Sequence, residues 1–187
     1  KSMKILMLTW EYPPRVVGGI SRVVYDLSHR LIKDGHEVTV VTYRDGEVPY
    51  DEDDKGVKVY RVDNYMIQPN NFIDWILQLN FNMVERASQI IAEQGKFDVI
   101  HAHDWLVTYS AKALKEAFDI PLVSTIHATE SGRNSGIHDE TQRYINDVLP
   151  LGLNTKTLCE YDYFIDNSVD FTKLLDLNYV DAWLYKF

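Results

Sequence analysis

Short apolar runs alternate with amphipathic helical stretches along most of the chain, and this alternation limits the folds that it can adopt. The first run, residues 4–9 (KILMLT), has almost no polar position, as is typical of a strand covered on both faces in a parallel sheet. Because parallel strands joined by helices connect through right-handed crossovers, the pattern predicts an α/β fold: a Rossmann-like parallel sheet with helices on both faces. The predicted strands cover 4–9, 37–42, 57–62, 98–103, 121–127 and 163–168, and the predicted helices cover 20–31, 72–94, 106–118 and 141–148.

The length and composition predict a single domain, residues 1–187, with a packed core. Hydrophobic residues make up 45% of the 187 residues and charged residues 25%, and no apolar run reaches the length of a membrane span. The net charge of −9 disfavours nucleic acid as a partner, because that affinity comes from Lys and Arg that neutralise phosphates. Part of this charge lies in the run Asp51–Asp54, which predicts a solvated loop. The absence of an export signal and the single cysteine, Cys159, predict a cytoplasmic location.

A glycine pair, Gly18 and Gly19, lies in the loop between the first predicted strand and the first predicted helix. Two residues without side chains allow a ligand to approach the backbone, and the N-terminus of the helix favours an anion such as a phosphate. Ser21 is the expected cap of this helix and Gly35 its expected stop. The alternative is that the pair only permits a tight turn.

Polar side chains follow three of the predicted strands, where each strand ends. They are Glu11, then His101, His103 and Asp104, then His127. Since the carboxyl ends of parallel strands share one edge of a sheet, His127, Asp104 and the glycine pair are expected to line one cleft. His101 and His103 project from the same face of a strand, but the spacing of the carboxylates and histidines does not favour a metal site. Asp104 can equally be a helix cap, and His127 either a structural histidine or a donor to a substrate oxygen.

Several of these motifs, in this order and spacing, resemble the N-terminal half of GT-B glycosyltransferases, above all the glycogen and starch synthases and related retaining enzymes. The likeness spans residues 3–148, whereas residues 149–187 form an atypical tail. The motifs are Glu11-Tyr-Pro-Pro14, Gly18-Gly19, Gly35-His-Glu-Val38, His101-Ala-His-Asp-Trp105 and Thr125-Ile-His127.

The resemblance implies roles for individual residues. Gly18 and Gly19 would approach the donor diphosphate or the transferred sugar, and Asp104 and His127 would be the catalytic, ligand-positioning groups. Glycogen synthases typically place a lysine two residues before the glycine pair; Val16 holds that position here, and its neighbour Arg15 is the candidate substitute for binding substrate. Apart from the resemblance, Arg133 and His138 lie in a polar, glycine-containing loop and are expected to be surface groups unless that loop folds over the cleft, where Arg133 would bind substrate. No cofactor and no metal is implied.

The function implied by the resemblance is that of the acceptor-side domain of a glycosyltransferase. Such an enzyme moves glucose from a nucleotide sugar, ADP- or UDP-glucose, to an α-glucan acceptor. The partner domain that would hold most of the nucleotide sugar is absent, so the chain alone is expected to be nearly inactive.

Two alternatives belong to other classes. One is a non-catalytic, trimmed or engineered Rossmann-like module, in which the tail replaces the missing domain or mediates self-association through an apolar stripe: Val180, Trp183, Leu184 and Phe187. The other is a dinucleotide-binding oxidoreductase. It is disfavoured because the first loop lacks a tight G-x-G-x-x-G and no acidic residue directly follows the second strand.

Overall fold

The structure, a computed structural model, describes residues 1–64, 68–127 and 138–140, together with the backbone of two further strands at 163–166 and 185–186. Each strand and helix predicted within these ranges is present, with ends that differ by at most two residues; the predicted helix at 141–148 lies outside them. A 3₁₀ turn at Trp105–Val107 precedes the third helix. The elements are β1 Lys4–Leu8, α1 Gly19–Lys33, β2 Glu37–Tyr43, β3 Asp51–Asp54, β4 Val57–Val62, α2 Phe72–Gln94, β5 Val99–His103, α3 Thr108–Phe118, β6 Leu122–Ile126, β7 Tyr163–Asp166 and β8 Tyr185–Lys186.

The strands form one sheet in the order β3-β4-β2-β1-β5-β6-β7-β8. The six inner strands are parallel to one another, while β3 and β8 lie antiparallel at the two edges. The predicted Rossmann-like parallel sheet is therefore confirmed, with one antiparallel strand added at each edge.

The strand order changes direction at β1, which lies between β2 and β5. The chain first builds β2 and β4 on one side of β1 and then returns to place β5 on the other side. The loops that follow β1 and β5 consequently diverge at their carboxyl ends, which leaves a crevice of the kind that binds ligands in open α/β sheets. The glycine pair lies in the loop after β1.

The two faces of β1 contribute to two separate cores. Ile5 and Met7 pack in one cluster with α1, and Leu6 and Leu8 pack in another with α2 and α3. Since successive strand residues point to opposite faces, the unbroken apolar run of β1 is explained by helices on both sides.

In the described part of the chain, no helix combines the length and the apolar character that a bilayer crossing requires.

The acidic run Asp51–Asp54 is an edge strand, so the prediction of a solvated loop is wrong. It pairs antiparallel with β4. Partners from other elements compensate three of its four carboxylates, which is why an acidic segment without apolar alternation can form a strand. The pairs are Asp51 with Arg86, Glu52 with Arg61, and Asp54 with Tyr12.

Arg61 ties this edge to the loop after β1, and its removal should destabilise the fold. Its guanidinium is 3% exposed and donates to Glu52 at 2.6 Å and to the carbonyl oxygens of Pro49 and Pro13 at 3.1 and 3.0 Å. Arg61→Ala leaves these acceptors without a donor, so we expect urea unfolding to show a loss of about 3 kcal/mol in unfolding free energy. Glu52→Gln is the control and should cost less than Arg61→Ala, because the amide oxygen of glutamine can still accept from the guanidinium. Equal losses in the two variants would contradict this role.

Candidate functional site

The Glu11 carboxylate sits at the N-terminus of α1. The side chain is fully buried, and it accepts hydrogen bonds from the backbone amides of Val17 at 2.6 Å, Gly18 at 3.1 Å and Ser21 at 3.3 Å. The backbone amides and the helix dipole favour an anion at this position. The carboxylate of Glu11 is that anion.

The prediction that Ser21 caps α1 is wrong. The helix begins at Gly19 with Gly18 as its N-cap, so Ser21 is the third helical residue. Its hydroxyl donates to the carbonyl oxygen of Arg15 at 2.9 Å and thereby holds the loop against the helix. The capping acceptor is Glu11, ten residues away from Ser21 in sequence.

The glycine pair is not required by the backbone conformation. Gly18 is extended, with φ −151° and ψ −154°, and Gly19 is the first residue of α1. A Cβ atom on Gly19 would meet no atom within 4 Å, and one on Gly18 would lie 3.8 Å from a carboxylate oxygen of Glu11. Within the described residues, the amides of Gly19 and Ile20 donate to no protein acceptor. The pair therefore leaves open space and two amides at the crevice, which a tight turn does not explain.

A cavity of about 550 Å³ opens at this edge of the sheet, and it brings His127 together with the glycine pair. Its walls combine the loop after β1, the first turns of α1 and the residue that follows β6. The lining residues are Trp10, Glu11, Val17, Gly18, Gly19, Ile20, Val23 and His127. The expected shared rim is thus present, although Asp104 and Arg15 are not among the lining residues.

Asp104 lies fully buried between β5 and the 3₁₀ turn. Its carboxylate accepts from the amide of Trp105 at 2.9 Å, and its own amide donates to the carbonyl of Thr125 at 2.7 Å. The backbone has φ 66° and ψ 176°, a region that residues other than glycine rarely adopt and that concentrates at functional sites. Asp104 therefore caps the turn; its predicted catalytic role stays a prediction.

Arg15 is engaged outside the cavity lining. Its guanidinium pairs with Asp45 at 2.6 Å and lies over the rings of Trp10, Tyr43 and Trp75, with centroid distances of 5.2, 5.0 and 5.9 Å. These contacts fix the loop after β1 against β2 and α2. The other predicted basic residue, Arg133, lies outside the described residues, and His138 is exposed.

Three histidines form a stack at the carboxyl ends of β5 and β6. The ring centroids of His101 and His103 are 4.1 Å apart, and those of His103 and His127 are 5.5 Å apart. His101 Nε2 lies 2.7 Å from the hydroxyl of Thr125, and His103 Nδ1 lies 3.3 Å from His127 Nε2. Burial, reinforced by the neighbouring His127, lowers the pKa of His101 to about 4, and burial lowers the pKa of His103 well below its ordinary value. Both rings are therefore neutral at physiological pH.

These two histidines predict a loss of stability on mild acidification. Because their pKa values are lower in the folded state than in the unfolded chain, the unfolded chain binds more protons between pH 6.5 and about 4. Each group adds a slope of up to about 1.4 kcal/mol per pH unit, so unfolding free energy is fully retained above pH 6.5 and falls as the pH approaches 4.

Urea unfolding at pH 7.5, 6.5 and 5.5 measures this slope. His101→Gln should flatten it, whereas the same change at the exposed His138 should leave it unchanged. If His101→Gln does not reduce the slope of unfolding free energy against pH, the slope does not come from this buried histidine.

Among residues 1–64, 68–127 and 138–140, no group of three or more histidine, cysteine, aspartate or glutamate side chains is arranged to hold a metal ion.

The sequence did not assign a role to Glu11 and did not predict that Trp10 and Val23 line the cavity. The signal for Glu11 was its position at a strand end, but its partners depend on the path of the loop.

Solved enzyme structures share this fold, among them a sucrose-phosphate synthase and a starch synthase. Sucrose-phosphate synthase from Thermosynechococcus elongatus matches with a TM-score of 0.64 at 18% identity, over 79% of this chain and 40% of that one. The catalytic domain of starch synthase IV from Arabidopsis thaliana, bound to ADP and acarbose, matches with a TM-score of 0.52 at 17% identity, over 76% and 38%. The fold is that of the N-terminal part of a GT-B glycosyltransferase.

Sequence comparison identifies the family. Glycosyltransferase Family 4 matches residues 17–166, and the chain belongs to this family. The glycogen synthase of Mycobacterium tuberculosis is 41% identical over 148 residues, which cover 72% of this chain and 36% of that protein. An uncharacterized glycosyltransferase of Methanocaldococcus jannaschii is 38% identical over 144 residues, 77% of this chain and 36% of that protein. The chain thus spans about a third of the length of these relatives, and the oxidoreductase alternative is set aside.

Proposed function

We propose that the chain is the acceptor-side domain of a glycosyltransferase that moves glucose from ADP-glucose or UDP-glucose to an α-glucan. The 41% identity to a glycogen synthase supports this choice of substrates. The observation that carries it is the shared cavity, in which Gly19 and His127 line one space at the switch point of the sheet.

The chemistry of the cavity favours the transferred sugar over the diphosphate. The amides of Gly19 and Ile20 and the His127 ring offer hydrogen-bonding groups at the cavity, whereas the fully buried Glu11 carboxylate is already engaged by three backbone amides. A sugar hydroxyl oxygen can accept from the two amides. A phosphate at the same place would face a fixed negative charge. The diphosphate therefore belongs outside the cavity.

The positive charge for the departing diphosphate comes from elsewhere in the enzyme. No lysine or arginine is among the residues that line the described cavity. Transfer of the sugar places negative charge on the leaving diphosphate, and fixed donors and cations must stabilise it. The chain spans 36% of its relatives, so we expect residues of a partner domain to supply these cations and the chain alone to be nearly inactive.

Two residues that do not line the cavity would also contribute. Asp104 would be a catalytic, ligand-positioning group held by its contact with Trp105, and Arg15 would act through the loop that it fixes. The side chains of Arg133, of the tail at 149–187 and of its apolar stripe lie outside the described residues. Substrate binding by Arg133 and self-association through the stripe are therefore proposed from the sequence alone. The cytoplasmic location also rests on the sequence alone.

Calorimetric titration of the chain with a set of ligands tests the proposal. ADP-glucose, UDP-glucose, ADP alone and maltotriose are compared for wild type and His127→Ala. We expect weak binding, with a Kd on the order of 1 mM, that requires the glucose moiety and is lost in His127→Ala. If neither nucleotide sugar nor maltotriose binds, the non-catalytic module becomes the better description. Equal binding of ADP and ADP-glucose would place the nucleotide, and not the sugar, in the cavity.

A further inference from the structure

His103 contacts His127 through one ring nitrogen only. The side chain of His103 is 1% exposed at the end of β5, and its Nδ1 lies 3.3 Å from His127 Nε2. Its other nitrogen, Nε2, is buried and has no hydrogen-bond partner among the described residues. The two rings stack with an interplanar angle of 28°.

We propose that His103 fixes the tautomer of His127: Nδ1–H of His103 donates to Nε2 of His127, and His127 therefore carries its own hydrogen on Nδ1. His103 is then a positioning residue, which acts on a bound ligand only through His127. Its contribution to sugar binding rests on the proposed function, whereas the tautomer itself is a property of the free chain.

The buried nitrogen of His103 decides between the two directions of this hydrogen bond. A neutral imidazole has one donor nitrogen and one acceptor nitrogen. If His127 were the donor, the hydrogen of His103 would lie on its Nε2, where a buried N–H would have no acceptor. If His103 is the donor, only a lone pair is left without a partner at that nitrogen. Orphaned buried N–H groups are rarer in proteins than acceptors that lack a donor.

Burial keeps His103 neutral, so its ring carries a single hydrogen, either on Nδ1 or on Nε2. The ring lies between His101 and His127, at centroid distances of 4.1 and 5.5 Å, and a positive charge on it would be poorly solvated in this buried stack. A protonated His103 would donate from both nitrogens and would leave the buried Nε2–H without an acceptor.

The consequence is a fixed donor at the candidate site. With its Nε2 accepting from His103, His127 can offer only an N–H at Nδ1 to further partners. It then favours ligand atoms that have a lone pair, such as a sugar hydroxyl oxygen, and it does not accept a proton at Nδ1. In water, free imidazole side chains favour the Nε2–H form, so His127 would hold the less common tautomer because of its neighbour.

Two-bond ¹H–¹⁵N correlation spectra of the histidine rings at pH 7, without ligand, test the proposal directly. They distinguish protonated from unprotonated nitrogens in each ring. We expect wild-type His103 and His127 both to carry hydrogen on Nδ1. His127 with hydrogen on Nε2 would overturn the proposal, and this result needs no variant.

Three variants separate a tautomer effect from loss of packing. His103→Asn keeps an amide N–H near the position of Nδ1 and should retain the Nδ1–H form of His127, whereas His103→Leu should convert it to Nε2–H. His101→Gln, which alters the stack without touching His127, is the control and should change nothing. An unchanged His127 in His103→Leu, or the same conversion in His103→Asn, would contradict the proposal.

Ligand titration of the same variants keeps the two proposals distinguishable. His103→Leu should weaken ADP-glucose binding by about threefold to tenfold, and His103→Asn should restore it. If the tautomer is as proposed but no variant changes ligand binding, the tautomer assignment stands and the proposed sugar site fails.

Discussion

Replacing Glu11 with alanine should lower the unfolding free energy by about 3 kcal/mol, because three backbone amides lose a charged acceptor. The amide of Ser21 is buried behind the loop and cannot recruit water easily. The helix also loses the anion at its N-terminus, which adds to the cost. We therefore expect the loop that leads into α1 to become disordered together with the wall of the cavity.

Urea unfolding gives the stability of this variant, and hydrogen exchange gives its location. Exchange should accelerate at the amides of Val17, Gly18 and Ser21 well before it does so in β1. Glu11→Gln is the matched variant: it keeps one acceptor oxygen but loses the charge, so its loss should be about half as large. An alanine variant within about 0.5 kcal/mol of wild type would show that the carboxylate is not the cap.

Substitution of Gly19 should weaken ligand binding, to an extent that grows with the size of the new side chain, without harming the fold. A Cβ atom at this position meets no protein atom within 4 Å, and Gly19 lines the same cavity as His127. Gly19→Ala should weaken binding of the nucleotide sugar by about tenfold, corresponding to about 1.4 kcal/mol, and Gly19→Val should eliminate it. Unfolding free energy should stay within about 0.5 kcal/mol for the alanine variant, since alanine is favourable in the first turn of a helix.

The matched control is Val16→Ala, in the same loop. Val16 is 66% exposed and is not among the residues that line the cavity, so this truncation should leave affinity unchanged. Loss of stability in Gly19→Ala, or equal loss of affinity in both variants, would contradict the view that the glycine keeps space for a ligand.

The sequence predicted the sheet and its functional edge because these depend on local periodicity and on a general rule. Unbroken apolar runs such as β1 identify buried strands, and the carboxyl ends of parallel strands meet at one edge. This rule brought His127 and Gly19 to one cavity without any knowledge of side-chain contacts.

The features that the sequence did not predict depend on contacts between distant residues. β3 has no apolar alternation, and pairs such as Glu52 with Arg61 hold it in the sheet. The cap of α1 comes from Glu11 across a loop whose path no local pattern reveals. Arg15 pairs with Asp45 because the loop carries it toward β2 and α2, and its predicted contact with substrate stays a prediction.

Residue-resolved NMR titration of the chain with ADP-glucose tests the claim that Gly19 and His127 form one sugar-binding cavity. We expect the resonances of the Gly19 and Ile20 amides and of the His127 ring to shift together with a single Kd. ADP alone, at the same concentration, should not reproduce these shifts. Unchanged resonances at these residues under saturating ADP-glucose, or identical shifts with ADP alone, would contradict the claim.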